Sequence, residues 1–292
     1  MIEPWRYQLH VEVWVLLLAV VGMGLYVSRV LQPKAVAAGD PPITKRQKAW
    51  FVGGVLLLWV ASDWPLHDIS ERYLYSLHMV QHLLLTFVMP PMFWLAIPSW
   101  LARLLVPPGT RSDTILRRVA KPIIAGLIYN GIVVFTHWSV VVNTSIRVGA
   151  FHYLVHLVVV TSAFVMWLPV CSPWKEHRLS PMGQCIYLFM MSILPTVPGA
   201  WLSLSGAPLY EVYDTMPRLW GISVLEDQQI AGLFMKVGGG AYLWAVIIAI
   251  FFRWGIGQQS SNRRGPEPAS EPEPVLVAPQ VRSGGQPRLS QP

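Results

Sequence analysis

The sequence predicts an all-α fold: a polytopic membrane bundle of seven transmembrane helices, N-terminus outside and C-terminus cytoplasmic. Three observations carry this reading. Of 292 residues, 53% are hydrophobic and only 13% are charged, against about 25% charged in ordinary soluble domains. Seven apolar stretches, near 11–30, 50–66, 74–98, 122–142, 151–171, 183–204 and 229–252, approach the roughly 20 residues that cross a bilayer as a helix. The basic residues between them also alternate. One side holds Arg29, Lys34, Lys45, Arg46 and Lys48, then Arg103, Arg111, Arg117, Arg118 and Lys121, then Lys175 and Arg178, then the tail from Arg253. The other side holds only Arg6, Arg72, Arg147 and Arg218. Positive residues favour the cytoplasm, so the poorer side faces out.

The first span follows Glu3 and precedes its basic residues, so it reads as a retained helix rather than a cleaved signal peptide; Ala35-Val36-Ala37 lies beyond Arg29 and Lys34. The second ends outside near Ser62-Asp63-Trp64-Pro65, with His67 just beyond. The third, Ser76 to Pro98, carries His78 and His82, four apart and so on one helix face. Its Pro90-Pro91 pair removes backbone donors and predicts a kink. The fourth runs outward with His137 about five residues before its end. The fifth starts outside with a second i, i+4 pair, His152 and His156. Pro195 and Pro198 interrupt the sixth. The seventh follows Asp227-Gln228-Gln229 and contains Met235 and Lys236. The membrane domain is expected over 1–256. Residues 257–292, rich in Pro, Gln, Ser and Gly, are expected to be a disordered cytoplasmic tail.

The formal charge of +7 sits between apolar segments rather than on a soluble module, so the predicted partner is the lipid bilayer and not nucleic acid. Cys171 and Cys185 form no metal-ligand spacing and read as small buried residues. The sequence holds no P-loop, GxSxG, HExxH or GxGxxG in the required context, so a non-enzymatic role is expected.

Seven of the eight histidines fall on the predicted outer side, and only His177 falls inside. Histidines kept only for packing have no reason to prefer one leaflet. Ionisable groups in hydrocarbon normally face the bundle interior or a wet cavity, so His78, His82, His152 and His156 are candidate metal ligands, with His137 and Asp63 beside them. Asp63 either orients an imidazole by accepting its second N–H or caps the turn before Pro65. Met79, Met89, Met92, Met166 and Met235 offer thioethers, although methionine is also a common gap-filler. Lys236 either meets an acid such as Asp227 or Asp63, or snorkels outward. Imidazole suits zinc, copper, iron and nickel, and thioether adds a preference for Cu(I). Two histidines on facing helices also suit a haem iron. Spacing alone leaves copper and haem both open.

The stretch LHMVQHLLLTFVMPPMFWLAIP closely resembles the signature of the CtaG-type cytochrome c oxidase assembly factors, the multi-spanning type and not the single-span copper chaperone of the same name. FHYLVHLVVVTSAFVMWLPV, PGAWLSLSGAPLYEVY and WGISVLEDQQIAGLFM resemble further family segments, in order, from about Trp50 to Phe252. The resemblance implies a seven-helix plasma-membrane protein that helps mature a haem–copper oxidase, by delivering copper to an oxidase subunit on the outer side. It points to His78, His82, His152, His156, Met235 and the polar group Asp227, Gln228 and Gln229. His67 and Lys236 depart from the family pattern. The alternatives are a haem-b electron carrier using the same histidines and a metal-free scaffold for oxidase subunits. A transporter is disfavoured, because the inner halves of the third and fifth spans are nearly all apolar.

Overall fold

Each apolar stretch folds as helix in the computed structural model, which describes residues 5–263. Helix α1 (Val11–Ala37) contains a π turn at Val27–Leu31. Helix α2 (Lys45–Ser62) opens on a capping box made by Thr44 and Gln47, which satisfies two otherwise orphaned donors. The short α3 (Leu66–Arg72) follows the Pro65 turn. Helix α4 (Tyr75–Ala96) carries the first histidine pair. Then come α5 (Ser99–Leu105), α6 (Arg111–Val119) and α7 (Pro122–Thr136), with α6 and α7 bent by 75°. Helices α8 (Ser139–Arg147) and α9 (Gly149–Cys171) lead to the second pair. Helices α10 (Pro181–Ile193) and α11 (Thr196–Leu204) form one broken span. Helix α12 (Val224–Leu233) continues through a π turn at Phe234–Gly238 into α13 (Gly239–Arg263). Six helices are long and apolar enough to cross a membrane, and the α6–α7 pair, bent by 75°, passes the same length and composition test when taken as one span. Among the described residues there is no strand. The protein is an all-α, multi-pass membrane bundle.

Helix α4 is the one the others pack around. Its first half meets α3 and α12, and its second half meets α2 and α9. The double proline explains its shape. Pro90 and Pro91 are the residues whose N–H groups would serve the Thr86 carbonyl in an α-helix or a π-helix respectively, and neither has one. The helix answers with a π turn over Leu84–Val88. The stranded Thr86 carbonyl accepts the indole N–H of Trp167 on α9 at 3.0 Å. A buried carbonyl without a partner is rare, so this bond ties α4 to α9 at the bundle centre. Around it pack Phe87, Tyr129, Met166, Trp167, Tyr187, Leu188, Met191 and Leu243.

Small residues allow the tightest crossing. A Cβ added at Gly232 on α12 would lie 2.5 Å from the Gly199 carbonyl oxygen of α11 and 2.8 Å from the Ser203 backbone nitrogen. Only glycine lets these backbones approach so closely. Large apolar side chains such as Leu18, Ile123, Leu157 and Val197 stay on the outer surface, as a lipid-facing bundle requires.

Several boundaries differ from expectation, with α1 running on to Ala37 and α2 starting at Lys45. The fourth span was expected to run to 142, but α7 ends at Thr136. The His137 ring nitrogen Nδ1 lies 2.7 Å from the Val133 carbonyl oxygen and closes the helix there. His137 is therefore a helix end, not a residue five positions inside one. Helix α13 runs to Arg263, so the boundary expected at Gly257 falls within a helix. The rest of the expected tail, from Arg264 on, lies outside the described residues.

Candidate metal centre

His78 and His82 are the fourth and eighth residues of α4, and His152 and His156 are the fourth and eighth of α9. Both helices start at the same end of the bundle. With a rise of about 1.5 Å per residue, the two pairs therefore reach the same depths. Helix–helix contact turns them toward each other. Ring centroids lie 4.5 Å apart for His78–His82, 4.4 Å for His152–His156, 4.7 Å for His82–His156 and 5.3 Å for His78–His156. The Nε2 atoms of His78 and His82 are 3.0 Å apart. Tyr75 stacks on His78 at 6.0 Å.

Glu71, which no sequence reading singled out, completes the group. Its Oε1 lies 2.7 Å from His152 Nε2 and 3.3 Å from His67 Nε2. Two sets of three groups bring their ligand atoms within 4.8 Å of one another: His78, His82 and His156, and Glu71, His152 and His156. The four histidines of these sets line a cavity of about 30 Å³, together with Tyr75, His137, Ser145 and Tyr213. A volume of that order admits a water or an ion. His78 Nδ1, His137 Nε2 and His156 Nε2 are buried and have no hydrogen-bond partner. Orphaned imidazole nitrogens around a small cavity are the donor set a metal ion needs.

Supporting contacts hold the ring positions. Ser145 Oγ lies 3.1 Å from His152 Nδ1. Gln81 Nε2 lies 3.1 Å from His67 Nδ1, and Ser70 donates to the Gln81 carbonyl at 2.8 Å. Toward the exposed end, His10 Nε2 sits 2.9 Å from Asp68 Oδ2. Burial opposes the charged form of His10, but the Asp68 bond and the charges of Asp68, Glu12 and Asp63 outweigh it and raise the pKa.

The remaining sequence candidates separate. Met79 lines the histidine cavity, and with Met235 it also lines a second cavity of about 40 Å³ that includes His82 and His137. Met166 packs in the central cluster and Met89 in the cluster between α1, α2 and α4, while Met92 reaches Gly53 of α2. Asp63 accepts the Trp59 indole N–H at 2.9 Å and belongs to neither ligand set. The Asp227-Gln228-Gln229 run works as a fastening. The Asp227 carboxylate accepts the backbone N–H groups of Tyr75 and Ser76, at 2.7 and 2.9 Å, and so caps the helix that carries His78 and His82. Gln228 accepts from the Leu209 N–H at 2.6 Å, and Gln229 donates to the Ser205 carbonyl at 3.0 Å. Lys236 is exposed, and the cation nearest Asp227 is Arg218, at 4.0 Å. Both cysteines are free, with Cys171 buried against the Trp167 carbonyl.

A family profile described as cytochrome c oxidase caa3 assembly factor (Caa3_CtaG) matches residues 4–255. No curated protein and no solved structure matches the chain.

Proposed function

We propose that this chain, which belongs to the cytochrome c oxidase caa3 assembly factor family, binds Cu(I) at the His78, His82, His152 and His156 cluster and hands it to an oxidase subunit on the outer face of the plasma membrane. The observation that carries this is the convergence of four imidazoles on one small cavity, with Glu71 beside His152 and His156. Charge supports Cu(I) over divalent ions. One carboxylate and neutral imidazoles balance a single positive charge, and an uncompensated charge at membrane depth is costly. Geometry agrees with a bound ion. Two imidazole nitrogens on one first-row metal, at the about 2.0–2.1 Å typical of zinc and a tetrahedral angle, lie roughly 3.3 Å apart, so the 3.0 Å between His78 and His82 suits a shared ion without choosing among metals. A cavity of about 30 Å³ suits an ion rather than a macrocycle. Delivery proceeds by ligand exchange with the acceptor subunit, without catalysis by this chain.

The test compares detergent-purified wild type with the fourfold His78→Ala, His82→Ala, His152→Ala, His156→Ala variant by metal analysis and visible spectroscopy. Copper in the wild type and none in the variant, with no Soret band, is the expected result. A haem spectrum in the wild type would make the protein an electron carrier. Neither copper nor haem after Cu(I) titration would leave a metal-free scaffold. In cells, His78→Ala with His82→Ala should leave the protein inserted but abolish oxidase maturation. Normal oxidase activity in that double variant would sink the reading.

A further inference from the structure

The two ligand sets overlap in a single residue. His78, His82 and His156 form one triad and Glu71, His152 and His156 the other, so His156 serves both. They differ in chemistry rather than in burial: each has one buried and two half-buried members, His78 being 7% and His152 6% exposed. The first triad is all imidazole. The other includes Glu71, whose side chain is 28% exposed. A bound cuprous ion at the carboxylate triad is neutralised by Glu71, and at the imidazole triad it keeps its charge.

We infer that the site offers a cuprous ion two alternative positions, a carboxylate-bearing one at Glu71, His152 and His156 and an all-imidazole one at His78, His82 and His156, with His156 as the shared ligand. This rests on the copper reading above. Passage between the positions is a ligand exchange. The bonds to Glu71 and His152 break, bonds to His78 and His82 form, His156 is retained, and the copper stays cuprous. Ligand by ligand, the ion is never without a donor, which keeps the barrier in a water-poor site low.

Copper stoichiometry decides between one position and two. The full-length protein in detergent is saturated with Cu(I), and bound copper is counted after gel filtration for two variants that each spare one triad: Glu71→Gln with His152→Ala, and His78→Ala with His82→Ala. Two alternative positions predict that each variant still holds one copper per chain, while His156→Ala lowers the count. If either pair of substitutions empties the protein while the wild type binds copper, a single position suffices and this proposal falls, with the copper reading intact. A wild type that binds no copper overturns both. The two paired variants decide the matter even where His156→Ala fails to fold.

Discussion

At the residue scale, Asp227 shows how much of the site is structural support. Its two oxygens satisfy the first N–H groups of the histidine-bearing helix from a distance of about 150 positions in the chain. Charge-assisted bonds of this kind contribute about 1.5–3 kcal/mol, and helix caps about 0.5–2 kcal/mol. Asp227→Ala should therefore lower stability by about 2–3 kcal/mol in thermal unfolding in detergent. Asp227→Asn, which keeps one acceptor oxygen, should lose less; an unchanged melting curve for the alanine variant would remove the capping role. The four cluster histidines were legible because i, i+4 spacing survives translation into a helix. Glu71 was not. It lies beyond the apolar run, on a short helix whose approach to His152 exists only in the fold. The Trp59 partner of Asp63 was in reach, since it lies four residues earlier on the same helix.

At the element scale, the double proline and Trp167 form one device. Removing the indole donor leaves the Thr86 carbonyl buried and unpaired, which costs about 1–3 kcal/mol. Trp167→Phe should destabilise by that amount. Pro90→Ala restores an N–H for the same carbonyl, so the double variant should be less destabilised than the two single changes added together. A double-mutant cycle reads the coupling, and strict additivity would disprove it. That the helix is irregular here could be read from Pro90-Pro91, although the irregularity takes the form of a π turn. Its partner could not, because nothing local ties Thr86 to a tryptophan 81 positions away. Span centres were readable but several ends were not: α1 runs on to Ala37, α2 starts at Lys45, the last span starts at Val224, and α7 stops early where the His137 ring closes the helix.

At the scale of the whole molecule, the alternating charges predict that the histidine cluster faces the outside. With Cys171 and Cys185 replaced by alanine, a cysteine at exposed Gly206 should react with an impermeant maleimide in intact cells, and one at exposed Gly109 only after lysis. The reverse pattern would invert the bundle and put the cluster on the wrong side for an outward copper centre. Composition and periodicity revealed the bundle. The loop from 205 to 223 was visible only as a connection, yet it lies over the cluster. Tyr213 lines the cavity, Tyr210 donates to the His137 carbonyl, and Gln228 and Gln229 hold the loop from the helix that also caps α4. Roof and ligand helix therefore hang from the same three neighbouring residues. A displacement of the loop is thus transmitted, through one short stretch of α12, to the start of the helix that carries His78 and His82.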